Sequence, residues 1–203
     1  MDDAIDAVVI GAGIVGLAVA RSLVRRGLSV MVIERHALAA QETSSRNSGV
    51  IHSGIYYPQG SLKARFCVEG RDMLHAFARE RGIGHQLCGK LIVAQPGQVE
   101  ALHRLWQQAQ RNGVDDVRLL DESRVRDIEP EVRCAQGLWC PSTGIIDVHE
   151  LANALIADVE AGGGSIVFHT EVVAVEAGAG QVRISCLTGG DPADLAWRLL
   201  VNS

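Results

Sequence analysis

No apolar run in this 203-residue chain approaches the roughly 20 residues a helix needs to cross a bilayer, so no membrane-spanning helix is expected. The first ten residues hold three aspartates and neither lysine nor arginine, which leaves no basic-then-apolar export signal. The chain is therefore expected to be soluble and cytoplasmic. The five cysteines, Cys67, Cys88, Cys134, Cys140 and Cys186, form no CxxC pair and no cluster with histidine. An odd number so widely scattered argues against a disulfide framework and a zinc centre; the thiols read as reduced, and no metal site is expected. Basic and acidic residues number 19 and 24, for a net charge of -5 without a basic patch, so no nucleic-acid partner is expected. His36, His75, His85, His103, His149 and His169 show no HxxxH or paired-carboxylate spacing and receive no catalytic role.

What is present begins at residue 7. An apolar run, Ala7-Val8-Val9-Ile10, leads into Gly11-Ala12-Gly13-Ile14-Val15-Gly16, and a second apolar run, Leu28 to Ile33, ends at Glu34. A strand, a GxGxxG turn, a helix from Ile14 to Arg26 with Gly27 as its stop, a second strand and an acid together predict a dinucleotide site. Gly11 permits the tight turn, Gly13 lets the backbone approach a pyrophosphate, and Gly16 lets the helix sit close to the sheet. The first N–H groups of that helix, at Ile14 and Val15, point at phosphate, and the helix dipole favours its negative charge. Glu34 follows Gly11 by 23 residues, close to the spacing of about 20 at which a carboxylate accepts hydrogen bonds from ribose hydroxyls. An acid there disfavours a 2′-phosphate, so FAD or NAD is preferred over NADP. Arg35 either sits near the adenine or is exposed.

Beyond this β-α-β unit the periodicity predicts a helix from Lys63 to about Arg81, with Ala64, Val68, Met73, Leu74 and Phe77 buried and Gly82 and Gly84 after it. A strand is expected at Leu91-Ile92-Val93-Ala94. An amphipathic helix over Val99 to Arg111 presents Leu102, Leu105, Trp106 and Ala109, with Gly113 as its stop. Val117 to Pro141 is the least periodic stretch. Another helix starts at Asp147 or His149, with Leu151, Leu155, Ile156 and Val159 on one face. β runs follow at Ser165 to Thr170, Val172 to Val175, Gln181 to Leu187 and Ala196 to Val201, with turns at Gly178-Ala179-Gly180 and Gly189-Gly190-Asp191-Pro192. The fold class read from this order is α/β, a Rossmann-type FAD-binding domain with the start of an inserted α+β substrate domain. Residues 1–86 and 142–203 form the two segments of the first, and residues 87–141 belong to the second. The last apolar strand ends at Asn202-Ser203 with no helix to cover it, which reads as a truncated end.

A second motif, Thr43-Ser44-Ser45-Arg46-Asn47-Ser48-Gly49-Val50-Ile51-His52-Ser53-Gly54-Ile55-Tyr56-Tyr57, follows the acidic ribose position. Its hydroxyls and backbone suit a diphosphate and a ribityl chain, and Gly49 and Gly54 let a flat ring approach the backbone. Because nicotinamide dehydrogenases do not need this extension, FAD is preferred over NAD. With Gly11 to Gly16, Glu34, Gly60-Ser61-Leu62-Lys63-Ala64-Arg65, Gly89-Lys90-Leu91-Ile92-Val93 and Thr143-Gly144-Ile145-Ile146-Asp147, the chain resembles the FAD-dependent D-amino-acid-oxidase superfamily, in particular its L-2-hydroxyglutarate dehydrogenase/oxidase branch. The resemblance covers essentially the whole chain and implies a longer protein with further substrate sheet and a late glycine-containing segment.

What the resemblance implies is an FAD-dependent dehydrogenase or oxidase that takes a 2-hydroxy acid, L-2-hydroxyglutarate, to 2-oxoglutarate by hydride transfer to flavin N5, with oxygen or a quinone as electron acceptor. Sister branches act on amino acids, amines or glycerol 3-phosphate, and a truncated nucleotide-binding fragment without turnover is the remaining alternative. Any membrane contact would be peripheral. Cofactor binding is expected at Gly11, Gly13, Ile14, Val15, Gly16, Glu34, Arg35, Thr43, Ser44, Ser45, Asn47, Ser48, Gly49 and Val50, and at Val173 in the later β run. His52 is the candidate general base, or else packs on or hydrogen-bonds the flavin. Lys63, Arg65 and Lys90 either bring positive charge to a dicarboxylate or are solvated, the commoner state of such side chains. Tyr56 and Tyr57 either wall the substrate pocket or pack in the core.

Overall fold

Short apolar runs become the inner strands of a parallel sheet when both of their faces are covered. The computed structural model describes residues 5–178 and 180–203. In chain order its elements are β1 (Ala7–Ile10), α1 (Ile14–Val24), β2 (Val30–Ile33), β3 (Val50–Ile51), α2 (Leu62–Arg81), β4 (His85–Gln86), β5 (Lys90–Ala94), α3 (Val99–Arg111), β6 (Arg118–Leu120), α4 (Glu122–Ile128), β7 (Gln136–Cys140), β8 (Gly144–Ile146), α5 (Val148–Ala161), β9 (Ser165–Val167), β10 (Thr170–Gly178), β11 (Gln181–Thr188), β12 (Asp191–Trp197) and β13 (Leu199–Asn202). They fall into two units, Met1–Asn47 with Val148–Ser203, and Ser48–Asp147.

In the first unit, β1 lies between β2 and β13, and β9 completes a four-stranded sheet in the order β13-β1-β2-β9. All three pairings are parallel. Ala7, Val8 and Val9 have no exposed surface, as expected of a strand buried on both faces. The chain leaves β1 for β2 on one side and returns only at β13 on the other, which makes the carboxyl end of β1 a topological switch point. Helices α1 and α5 pack together where Gly162 and Gly164 leave room for Val24, and Arg21 pairs with Asp158. Fully buried Leu17 on α1 contributes about 1.5–3 kcal/mol by leaving water.

An antiparallel meander, β10-β11-β12, belongs to the same unit. Its Ile184 clusters with Val8 and Ile33 of the parallel sheet. Two sequence expectations change here. Asp191 and Pro192 lie inside β12 rather than in the preceding turn, which an edge strand tolerates because proline's missing N–H removes no ladder bond there. The single strand expected over Ala196 to Val201 is divided between β12 and β13, which pair with β11 and β1 respectively. Of the expected turn at Gly178-Ala179-Gly180, Ala179 lies outside the described residues.

The second unit carries two antiparallel sheets, β3-β8-β4 and β5-β7-β6. Ile55, Ala94, Leu102, Ala109, Val114, Val117, Leu138 and Cys140 form its main core, with α3 presenting the face expected from its sequence. Helix α2 starts where the Ser61 hydroxyl accepts the Ala64 N–H at 3.1 Å and stops at Gly82, whose φ is +66°. Such a cap contributes about 1 kcal/mol. Its buried line differs from expectation. Ala64, His75 and Ala78 are buried while Met73 is 70% exposed, because spacings of 11 and 14 from Ala64 stay on one face and Met73 falls across the axis from His75. The stretch after Val117 is more regular than its sequence predicts, holding β6, α4 and the central strand β7. Gln136-Gly137-Leu138-Trp139-Cys140 shows no simple alternation; its pairing with β5, Lys90 opposite Cys140, makes it a strand.

Candidate functional site

The turn after β1 separates its three glycines by what surrounds them. Gly11 has a φ of +96°, a left-handed backbone that a side chain resists. A methyl group on Gly16 would collide with the Gly11 carbonyl, so Gly16 is what lets α1 start so close to the strand. Gly13 is different. Its φ of -72° suits any residue, and a methyl group there would meet only Ser44 Oγ, at 3.5 Å. It opens onto a cavity of about 420 Å³ in the first unit.

Gly13 is also the N-cap of α1, where it offers no side-chain acceptor, and the first turn carries no acidic residue. Ile14 N–H donates to Ser44 Oγ at 3.2 Å. The positive end of α1 is thus left without a carboxylate of its own, while Val15, 70% exposed, lines the same cavity. An anionic group fits this environment.

Glu34 closes the opposite side. It is only 8% exposed; Oε2 accepts from Ala12 N–H at 2.8 Å and Oε1 from His36 N–H at 2.9 Å. Each carboxylate oxygen retains acceptor capacity for a hydroxyl donor. The strand itself is pinned, since Glu34 N–H donates to Val167 O at 2.8 Å and Thr170 N–H to Glu34 O at 2.9 Å. Arg35 lines the cavity but is committed to Glu42, which also receives His36 Nε2 at 2.9 Å. Those two partners, His36 first, hold the Glu42 carboxyl below the ordinary range, and Glu42 raises Arg35.

The second motif divides between the units. Thr43 and Ser44 line the cavity. Ser45 does not, and its hydroxyl is used within the turn, donating to the Gln41 and Glu42 carbonyls at 2.8 and 2.7 Å. Asn47 also lies off the cavity wall. Val173 sits at the β10 bulge, 54% exposed, while its neighbour Val172 reaches the wall. Thr170, Glu171, Asn202 and Ser203 join the lining without any sequence signal, because strand pairing alone brings them there. Ala40 was missed as well. It is buried with a φ of +59°, and its N–H donates to Ala12 O at 3.0 Å, drawing the loop after β2 onto the glycine turn.

Ser48, Gly49, Val50 and His52 belong to the second unit. Gly49 and Val50 are tied into the small sheet, Gly49 O accepting from Ile146 N–H at 2.9 Å and Val50 pairing with Ile145. The loop that follows is clamped from α3 and the residue after it. Gln108 Nε2 donates to Ile55 O and Tyr57 O at 3.2 and 3.1 Å, and Asn112 Nδ2 to Gly54 O and Tyr57 O at 3.0 and 2.8 Å. His52 is exposed at the edge of this platform. Partial burial, then Lys90, then Lys63, push its imidazole below the ordinary value. The three cations that the sequence left open separate here. Arg65 pairs with Glu69 at 2.9 Å, whereas Lys63 and Lys90 lie over the rings of Tyr57 and Tyr56. The five cysteines form no disulfide, and no group of three metal-ligating side chains occurs among the described residues.

Parallel strands that reverse at β1, with an uncapped helix start facing a buried acid across a cavity, define a dinucleotide-binding protein of the Rossmann type. Comparison with known proteins narrows the class. Residues 6–202 match the family described as FAD dependent oxidoreductase (DAO), and the chain belongs to that family. It is 40% identical over 174 residues to the L-2-hydroxyglutarate dehydrogenase, mitochondrial, of Homo sapiens, which covers 84% of this chain and 38% of that protein. It is 39% identical over 190 residues to the protein of the same name from Nematostella vectensis, covering 90% and 42%. The chain therefore spans 38% and 42% of the length of these curated relatives. Among solved structures it is similar to an L-alpha-glycerophosphate oxidase from Mycoplasma pneumoniae with FAD bound, at a TM-score of 0.83 and 29% identity over 88% of this chain and 48% of that one. It shares its fold with L-proline dehydrogenase from P. horikoshii, at a TM-score of 0.85 and 20% identity over 100% and 53%. The cofactor is FAD, and the fold is the Rossmann-type FAD-binding fold with an additional α+β region, as the sequence leads one to expect.

One expectation is overturned. The curated relatives are named as mitochondrial proteins, so the cytoplasmic assignment does not stand. It rested on the missing export signal, and such segments are read by receptors or removed, leaving no trace in the chemistry of a folded core. Among the described residues, no helix is long and apolar enough to cross a membrane.

Proposed function

We propose that this protein oxidises a 2-hydroxy acid, L-2-hydroxyglutarate, to 2-oxoglutarate, passing the electrons to oxygen or a quinone. The observation that carries the substrate is the 40% identity with a protein named for it; the cavity between the α1 N-terminus and Glu34 supports the cofactor half of the reading. Bound FAD supplies a hydride acceptor at N5. In this reading the N–H groups at Gly13, Val15 and Gly16 receive the pyrophosphate, with Ile14, whose N–H holds Ser44, and Thr43 beside it, and Glu34 takes ribose hydroxyls. For Ser45, Asn47, Ser48, Gly49, Val50 and Val173, a cofactor role rests on family resemblance alone, as does the division into FAD-binding segments at 1–86 and 142–203 and a substrate domain at 87–141. The sheet β5-β7-β6 falls within residues 87–141, while its core also takes in Ile55 from outside them.

His52 accepts the proton of the substrate hydroxyl. As the C2–H bond breaks with its electron pair, the C2–O bond becomes a carbonyl and the hydroxyl proton passes to the imidazole. A base must be unprotonated to begin, and the lowered His52 pKa supplies the neutral ring at neutral pH. Similarity to an L-alpha-glycerophosphate oxidase sustains one second reading, oxidation of glycerol 3-phosphate. The test is an anaerobic visible spectrum of the FAD-reconstituted chain. Bleaching by L-2-hydroxyglutarate is expected; bleaching by glycerol 3-phosphate alone replaces the first reading with the second, and bleaching by neither removes both.

A further inference from the structure

The chain's 19 basic residues include just two lysines, Lys63 and Lys90, far apart in sequence, yet both act on one loop. Each ammonium stands 4.8 Å from the centre of a tyrosine ring, Lys63 over Tyr57 and Lys90 over Tyr56. Among the described residues neither is paired with a carboxylate, in contrast to Arg65 and its partner Glu69. An aromatic face steadies a cation without neutralising it, so both charges remain available to an anion. Their positions are built. Lys63 is in the first turn of capped α2, and Lys90 opens β5 opposite Cys140, whose Sγ donates to Ser53 Oγ at 3.1 Å beside His52. The tyrosine loop is held by four side-chain hydrogen bonds from Gln108 and Asn112. With no carboxylate paired to either lysine among the described residues, the two like charges repel each other and disfavour a charged His52, and a dianion relieves both effects.

We infer that Lys63 and Lys90, each braced on a tyrosine, bind the carboxylate that distinguishes a dicarboxylic acid from a monocarboxylic one and so set substrate specificity. This rests on the 2-hydroxy-acid reading above. Monocarboxylates lack the group the pair would hold, and a methionine in place of either lysine keeps the apolar stem over the ring while removing the charge.

The test is an NMR titration of the full chain, following the His52 ring, with glutarate, butyrate and inorganic phosphate as probes of Lys63→Met, Lys90→Met and Lys90→Arg. Glutarate is expected to move the His52 signal and raise its pKa. Each methionine variant is expected to weaken glutarate by about tenfold, with arginine restoring most of the loss and butyrate binding weakly throughout. Equal binding of glutarate and butyrate, or unchanged glutarate binding in both methionine variants, overturns the assignment. Phosphate binding more tightly than glutarate through the same lysines overturns it in favour of a phosphate ester. Flavin reduction by L-2-hydroxyglutarate is read separately. Lysine-dependent glutarate binding without reduction upholds the dicarboxylate site and removes the reaction, whereas reduction with an unchanged KM in both methionine variants removes the site and upholds the reaction.

Discussion

Ala12 donates its backbone N–H to Glu34 Oε2 at 2.8 Å, so the glycine turn after β1 and the end of β2 are joined through one buried carboxylate. The same group then has two tasks, closing the turn and facing the cavity. Glu34→Ala should leave the Ala12 donor buried and unpaired, at a cost of about 1–3 kcal/mol, and weaken FAD by about tenfold or more. Urea melts and flavin fluorescence titration measure the two losses; FAD affinity at the wild-type value would remove Glu34 from the cofactor site.

Gly13 and Gly16 should separate binding from folding. Gly13→Ala meets only Ser44 Oγ, so its stability should stay within about 1 kcal/mol of wild type while FAD retention falls. Gly16→Ala drives a methyl into the Gly11 carbonyl and should cost about 1–3 kcal/mol as well as the cofactor. Thermal melts paired with flavin absorbance distinguish the outcomes, and equal behaviour of the two variants would contradict the assignment of roles.

Asn112 should matter to the second unit out of proportion to its size. Its amide donates to two carbonyls of the tyrosine loop, and Asn112→Asp would present an acceptor to both. A loss of about 1–3 kcal/mol is expected, with faster proteolysis near Tyr57. A urea midpoint equal to wild type would mean that the clamp is not needed.

Acid should weaken the second unit through His75. That ring is 6% exposed, and burial holds its pKa below the ordinary value, the backbone at Ser142 opposing the shift and His85, Arg79 and Arg71 adding to it. A histidine whose folded pKa is lowered binds fewer protons folded than unfolded, so stability is complete above the unfolded value near 6.5 and falls as pH drops toward the folded value. His75→Leu should flatten the melting temperature between pH 7.5 and 5.5. A wild-type profile already flat across that range would show that His75 is not the group responsible.

The first β-α-β unit and its glycine turn were legible in the sequence because their signals are local. Four apolar residues, a glycine needing a positive φ and an acid at fixed spacing act within one β-α-β unit. Helix α3 was legible for the same reason, its 3-4 periodicity lying entirely within its own span. Strand β7 was not, since its partners are residues 90–94 and 118–120, and nothing in Gln136 to Cys140 announces them. Met73 has an apolar side chain at nearly the right spacing for the core position that His75 occupies, and only the packing of α2 separates the two.

By itself, the sequence determined the class of cofactor, the elements of the first β-α-β unit and the family, since each rests on short-range spacing and chain chemistry. Tertiary structure decided which hydroxyls of the second motif face the cavity and which are used up in a turn, as Ser44 and Ser45 show. It also decided that two lysines 27 residues apart act on one histidine while the arginine two positions from Lys63 is neutralised by its own helix. Charge has no periodicity to read along the chain, and its effect depends on distance in space, which only the packed loop, helix and strand establish.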